Sequence, residues 1–350
     1  MRYKFFASSQ KAWRAMFDAI SFAEKSIYLE MYIFQDDITE FDFLTLLKEK
    51  AQSGVKVKMI LDSFGSSGLS KKAVSEIRES KIELLFLSYF LHRTHRKILV
   101  VDDDTAFIGG VNFYQASSLW NDLMVRAKGK IVKSITRSFA KAYVEAGGKD
   151  IEVVNKSLKL KPESSKKIKQ KLHDWLVEHS PSINKFRLKK IYTEHISSAK
   201  ENVTLVTPYF MPKRWLIGLL HQAHLRGVDV QILIPEDTSY YFLDRINYIY
   251  ICKLAKLGIK FYIERQMNHA KIMMIDGREA IVGSNNLDYL SFDLNSEIGI
   301  FFNDIKAVNE ISSIISEWKK DSLPFDTCVY KAHWFDYLLS PIIRIFARIL

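Results

Sequence analysis

The sequence predicts an α/β fold built twice: two mixed β-sheets flanked by helices, related by a pseudo-twofold axis, with one active site between the halves. Three observations carry this reading. A phrase of the form H-x-K-x4-D-x6-G-[GS]-x-N occupies His95, Lys97, Asp102, Gly109, Gly110 and Asn112, and returns at His269, Lys271, Asp276, Gly283, Ser284 and Asn286. Landmarks outside the phrase recur at nearly one offset: Tyr32 and Tyr209, Gly54 and Gly227, and His95 and His269 lie 177, 173 and 174 residues apart. Both halves also order their apolar runs alike, as strand, helix, strand and hairpin, an alternation that argues for mixed sheets covered by helices.

Taken in order, the apolar stretch 26–34 opens the first half, and an amphipathic helical pattern leads to Gly54-Val55 and a strand at 57–61. The second half repeats this from 207–212, through a helical pattern, to Gly227-Val228 and a strand at 230–234. The continuous apolar runs 98–101 and 272–275 read as strands buried on both faces. Alternation along an extended chain puts His95 and Lys97 on one side, and likewise His269 and Lys271. A second short strand, 106–108 or 280–282, ends in a small-residue turn where glycine permits close backbone approach, and that turn delivers Asn112 or Asn286. The expected division is residues 1–152 and 191–330 as the two halves, 153–190 as a lysine-rich linker, and 331–350 as a C-terminal amphipathic membrane-interface segment.

Imidazole, ammonium and carboxamide, each supplied twice, make a poor metal site and a good phosphate site. The phrase's carboxylate lies five residues past the lysine, on the opposite strand face. Asp102 and Asp276 therefore read as hairpin residues. Two lysines supply point charges for phosphate oxygens, two amides supply neutral donors, and two histidines divide the work of nucleophile and general acid/base. No metal or cofactor is expected. His221 and His224 stand one helical turn apart without a third ligand nearby, too little for a metal site.

Composition bounds the partners. With 350 residues and 48% hydrophobic content the chain can bury a large core. Its net charge of +11 fits a polyanionic partner, and an anionic phospholipid surface and a nucleic acid both qualify. No nucleic-acid-binding motif accompanies that charge. Lys156, Lys159, Lys161, Lys166, Lys167, Lys169 and Lys171 form its densest cluster. Cys252 and Cys328 offer no disulfide framework and read as small core residues of a reducing compartment. No run reaches the roughly 18 apolar residues of a membrane span, and residues 1–6 lack a signal-peptide core. The 334–350 segment, aromatic and apolar with Arg344 and Arg348 one turn apart, reads as a helix lying in a membrane interface.

The duplicated phrase resembles the defining element of the phospholipase D superfamily. Residues 26–34 and 207–212, together with Asn286-Leu287-Asp288, Ser291-Phe292 and Leu294-Asn295-x-Glu297, are similar to stretches of the bacterial cardiolipin synthases over nearly the whole length. One departure is Leu290, where that family usually has arginine. The resemblance implies a duplicated phospholipase D fold and a phosphatidyltransferase that joins two phosphatidylglycerols through a phosphohistidine, with glycerol released. A lipid hydrolase or a nuclease would use the same two half-sites. The implied catalytic set is His95, Lys97, Asn112, His269, Lys271 and Asn286, with His95 as nucleophile. It adds Asp122 and Glu297, which lie 27 and 28 residues after the motif histidines, a distance at which the superfamily places a carboxylate that accepts a hydrogen bond from the histidine. Glu30, Tyr32, Tyr209 and Phe210 are the expected substrate contacts. The implied partners are an anionic membrane surface and a phosphatidylglycerol-like lipid, with no nucleic acid. The implied location is peripheral, on the cytoplasmic face of a bacterial inner membrane.

Overall fold

The computed structural model describes residues 2–87, 92–158, 175–181, 186–238 and 240–326. The first half runs β1 (Arg2–Ser8), α1 (Ser9–Ser21), β2 (Ser26–Met31), α2 (Phe43–Gln52), β3 (Lys56–Asp62), α3 (Lys71–Glu79), β4 (Glu83–Leu87), β5 (Arg93–Thr94), β6 (Ile98–Val101), β7 (Thr105–Gly109), β8 (Asn121–Lys128) and α4 (Lys130–Glu145). α5 (Ile151–Ser157) and β9 (Trp175–His179) follow. The second half runs α6 (Arg187–Ser198), β10 (Asn202–Val206), α7 (Arg214–Leu225), β11 (Asp229–Pro235), α8 (Tyr241–Ala255), β12 (Lys260–Glu264), β13 (Ile272–Ile275), β14 (Glu279–Gly283), α9 (Tyr289–Asp293), β15 (Asn295–Phe302), α10 (Ile305–Lys320) and β16 (Ser322–Pro324).

The duplication is plain in the strand order. One sheet reads β4-β3-β2-β6-β7-β8-β1, and the other reads β12-β11-β10-β13-β14-β15 with β9 on β15 and β16 added beyond β12. In each, the three strands that alternate with helices are parallel, and the motif strand joins them antiparallel. The motif strands are buried on both faces, and their alternation sorts two cores. Ile98 and Val100 meet Ile272 and Met274 in a central core between the sheets, shared with α4 and α10. Leu99 and Val101 turn outward to a core with α1, α2 and α3, while Met273 and Ile275 turn to one with α6, α7 and α8. Local signals agree with the packing: Ser8, Asp42, Ser70 and Asp304 cap their helices by accepting a backbone N–H in the first turn. α1 buries Ala12, Trp13, Met16 and Ile20 at helical spacing.

The motif aspartates act in the hairpins. Asp102 and Asp276 both have φ of 53°. Asp102 accepts the backbone N–H groups of Glu24, Lys25 and Ser26, and Asp276 those of Lys200, Glu201 and Asn202, so each ties its hairpin to the start of the neighbouring strand.

β9 lies inside the stretch read as linker, yet it pairs with β15 and buries Val177, so the second sheet takes it in. Lys156 ends α5 bonded to the Tyr28 hydroxyl at 2.8 Å and to Asp103 at 2.6 Å. The other lysines of that cluster, Cys328 and the 331–350 segment lie outside the described residues. Among the described residues no helix is long and apolar enough to cross a membrane.

Candidate active site

Each half reaches into the other to hold a histidine. β5 pairs in parallel with β15, and the His95 backbone N–H then donates to Ser296 O at 3.0 Å. Asn268 bridges to Asn121, and the His269 N–H donates to Asn121 O at 2.7 Å. The residue after each of those acceptors is a carboxylate. His95 Nδ1 therefore lies 3.1 Å from both carboxylate oxygens of Glu297, and His269 Nδ1 lies 2.9 Å from Asp122. The spacing within each half suggested partners from the same half. The partners are exchanged, because the hairpin places the carboxylate on the strand that faces the opposite half.

The small-residue turns explain why that approach is possible. A Cβ at Gly109 would stand 2.1 Å from Leu123 O, and one at Gly110 would stand 2.1 Å from Asp122 Oδ1. In the second copy Ser284 replaces that glycine, and its hydroxyl donates to Glu297. Ser291 Oγ donates to the same carboxylate at 2.7 Å. Glu297 thus collects two hydroxyls and an imidazole. Asp122 has the imidazole and one backbone N–H, from Leu123.

This difference in donors shows in the proton affinities. Burial would raise Glu297, but His95, Lys97 and the Ser284 hydroxyl outweigh it and hold the carboxyl below its usual range. Burial lifts Asp122 to about 7, against the pull of Lys271. Burial, opposed by Glu297, brings His95 down to about 4, and burial reinforced by Lys271 and Lys97 pushes His269 well below its ordinary value. At neutral pH His95 is thus a neutral ring whose Nδ1–H faces a carboxylate, and in the second unit Asp122, lifted to about 7, is the group poised to carry a proton beside His269.

Both lysines are buried, and each donates to its own histidine's carbonyl: Lys97 Nζ to His95 O at 2.6 Å, and Lys271 Nζ to His269 O. Burial lowers Lys271 to about 7 and, with the Lys271 ammonium, pushes Lys97 well down. A phosphodiester monoanion between them would favour both charged forms. Asn112 Oδ1 accepts the Ile33 backbone N–H at 3.2 Å, so its amide N–H groups are the donors left for a ligand. Asn286 Oδ1 is buried without a partner.

His95, His269, Asn112 and Asn286 line one cavity of about 350 Å³. A larger cavity of about 860 Å³, beside α1, contains neither histidine, so chemistry and not size marks the site. Tyr32 and Tyr209 line the cleft, with ring centroids 4.8 Å from His95 and 6.5 Å from His269 respectively. Glu30 and Phe210 do not reach it, contrary to expectation. Glu30 is fully buried behind the site, bonded to Arg96 at 2.8 Å and Thr94 at 2.5 Å, because a carboxylate in the sheet interior needs partners. Phe210 packs on Phe261 in the outer core. Sequence reasoning missed Ser284 and Ser291 as donors, and Glu264, whose carboxylate holds Asn268 at 2.9 Å just before His269. The G/S alternation within the motif was the available signal for Ser284. Glu264 had none.

The comparisons with known proteins agree with this architecture. The profile of the cardiolipin synthase, PLD-like domain family matches residues 16–143 and 192–318. A cardiolipin synthase of Clostridium perfringens is 32% identical over 303 residues, 82% of this chain and 63% of its own length. A probable cardiolipin synthase of Bacillus subtilis is 28% identical over 339 residues, 91% of this chain and 66% of its own. The chain therefore spans slightly less than two thirds of the length of these relatives. In fold it is similar to a phosphatidylserine synthase of Haemophilus influenzae, with TM-score 0.77 at 15% identity over 99% of this chain and 94% of the other. A polyphosphate kinase of Porphyromonas gingivalis aligns with TM-score 0.63 at 14% identity, over 99% of this chain and 53% of that one. With the profile covering both halves, the chain belongs to the cardiolipin synthase, PLD-like domain family, with the phospholipase D-like domain present twice.

Proposed function

We propose that this chain is a phosphatidyltransferase of the cardiolipin synthase type, joining two phosphatidylglycerols with release of glycerol. The observation that carries this is the convergence of both motif histidines on one cavity with both motif amides, each imidazole backed at Nδ1 by a carboxylate. His95 Nε2 attacks the donor's phosphorus, forming a P–N bond as the P–O bond to glycerol breaks, and His269 gives its proton to the departing oxygen. Glu297 fixes the His95 tautomer and stabilises the ring as it becomes cationic, as a triad carboxylate does. His269 then takes the proton of the acceptor's hydroxyl, whose oxygen attacks phosphorus while the P–N bond breaks. Lys97, Lys271, Asn112 and Asn286 hold the non-bridging oxygens in both steps.

The substrate class is supported by the family, and the charge is compatible with it. A chain of net charge +11 suits an anionic phospholipid surface, and we place the protein there as a peripheral enzyme on the cytoplasmic face of a bacterial inner membrane, without a nucleic-acid partner. Purified protein incubated with phosphatidylglycerol vesicles should yield cardiolipin and glycerol in equal amounts. Phosphatidic acid without cardiolipin would make it a hydrolase, and cleavage of DNA in preference to lipid would make it a nuclease.

A further inference from the structure

A transferase of this kind must bring a second anionic headgroup beside the first, and the cleft of about 350 Å³ is lined by the two histidines and two amides that serve the first. Next to it lies a cavity of about 590 Å³, which shares Met211, Asp288 and Leu290 with the cleft. Its wall carries three cations. Lys213 is committed, paired with Asp293 and resting 4.8 Å above the Tyr289 ring. Arg214 and Lys253 are exposed and have no ion pair or hydrogen bond among the described residues.

We propose that this second cavity seats the acceptor's headgroup, the phosphodiester monoanion of a glycerol-bearing lipid, with Arg214 and Lys253 on its phosphate. The inference rests on the phosphatidyl-transfer reading. Two cations without a partner among the described residues, on a concave wall, favour an anion over a neutral ligand. Trp215 and Tyr250 offer apolar surface beside them for the lipid's glycerol and first acyl carbons. Leu290 sits on the boundary, so the boundary carries no cation there and the acceptor phosphate stays on the far side. Only the terminal hydroxyl, three carbons along, need cross to the cleft. Asp288, the one acidic residue on this wall, stands on the same boundary, buried and held by the Ser291 backbone N–H at 2.8 Å. Its carboxylate is placed to accept a hydrogen bond from that hydroxyl as it enters.

The test uses fluorescent phosphatidylglycerol as donor in neutral-detergent micelles, with unlabelled phosphatidylglycerol or uncharged monoacylglycerol as acceptor. Wild-type protein should prefer the anionic acceptor. In the Arg214→Ala/Lys253→Ala double variant, whose sites are exposed, that preference should fall about tenfold through a rise in the KM for phosphatidylglycerol, the scale of losing one charge-assisted hydrogen bond at a wet site. Soluble glycerophosphoglycerol, the same headgroup without acyl chains, should inhibit wild-type transfer more strongly than transfer by the variant. An unchanged preference, or equal losses with both acceptors, would overturn the assignment, as would absence of that inhibition in the wild type. Donor hydrolysis by the wild type without transfer to either acceptor would instead refute the transferase reading, and this inference with it.

Discussion

Gly110 and Ser284 occupy the same place in the two motif copies and do opposite things to the carboxylate beside them. Ser284 donates a hydrogen bond to Glu297, whereas Gly110 leaves the space in which Asp122 lies. A methyl group at Gly110 would meet Asp122 Oδ1 at 2.1 Å, and the carboxylate would have to leave His269. Gly110→Ala should therefore lower kcat at least tenfold, about 1.4 kcal/mol in the barrier, with an unchanged circular dichroism spectrum. A variant at full rate would show that His269 does not need Asp122. Lys97→Ala and Lys271→Ala should each cost at least as much, since each leaves phosphate charge uncompensated. Glu30 has a different role from the one its place in the sequence suggested. Its removal leaves the buried Arg96 guanidinium without its carboxylate, so Glu30→Ala should destabilise the fold by about 3 kcal/mol in urea titration, with little change in KM. A raised KM at wild-type stability would restore Glu30 to the substrate.

At the scale of elements, the motif strands and their hairpins were legible because their signals are local. Apolar runs such as 272–275, a fixed spacing, and small residues where β7 approaches β8 are all written in short stretches of chain. What was not legible is contact across elements far apart in sequence. Nothing around Thr94 or Asn268 announces that their strands dock on the other half, and nothing around Glu264 announces that it faces Asn268. Burial of the histidine, carboxylate and lysine side chains that these contacts bring together sets the expected pH dependence. The kcat/KM profile reports the free enzyme. It should rise as His95 loses its proton near pH 4 and fall near pH 7, as Asp122 and Lys271 lose theirs. Bound phosphodiester favours the charged Lys271, so the falling limb of kcat should lie at higher pH than that of kcat/KM. A kcat/KM profile flat from about pH 5 to 9 would contradict the falling limb, and one flat from about pH 3 to 6 would contradict the rising one. The donor set of imidazole, ammonium and amide also predicts activity that survives a chelator, measured with the same vesicles.

For the whole molecule, the exchange of carboxylates means that neither half holds a complete histidine unit. The repeat in the sequence announced two half-sites and one shared centre, but the within-half spacing hid which carboxylate serves which histidine. In the proposed mechanism the exchange also separates the two chemical roles, with Asp122 acting through the acid and Glu297 through the nucleophile. A leaving group that departs without a proton exposes the difference. With a p-nitrophenyl phosphodiester the P–O bond breaks without general acid help, whereas attack by His95 is still required. Asp122→Asn should therefore be severely slow with phosphatidylglycerol and recover most of its rate with the activated ester in the phosphorylation step, read as the burst of p-nitrophenol in a single turnover. Glu297→Gln should be slow with both, because the ring it supports is the one that attacks. Quenching in alkaline denaturant during turnover, which preserves a P–N bond, should trap the donor's phosphoryl label on His95 and leave His269 unlabelled. If Glu297→Gln is the variant rescued, or if His269 carries the label, the roles of the two halves are reversed. If both variants are rescued alike, neither carboxylate distinguishes the histidines, and the unequal donors around Asp122 and Glu297 have no mechanistic consequence.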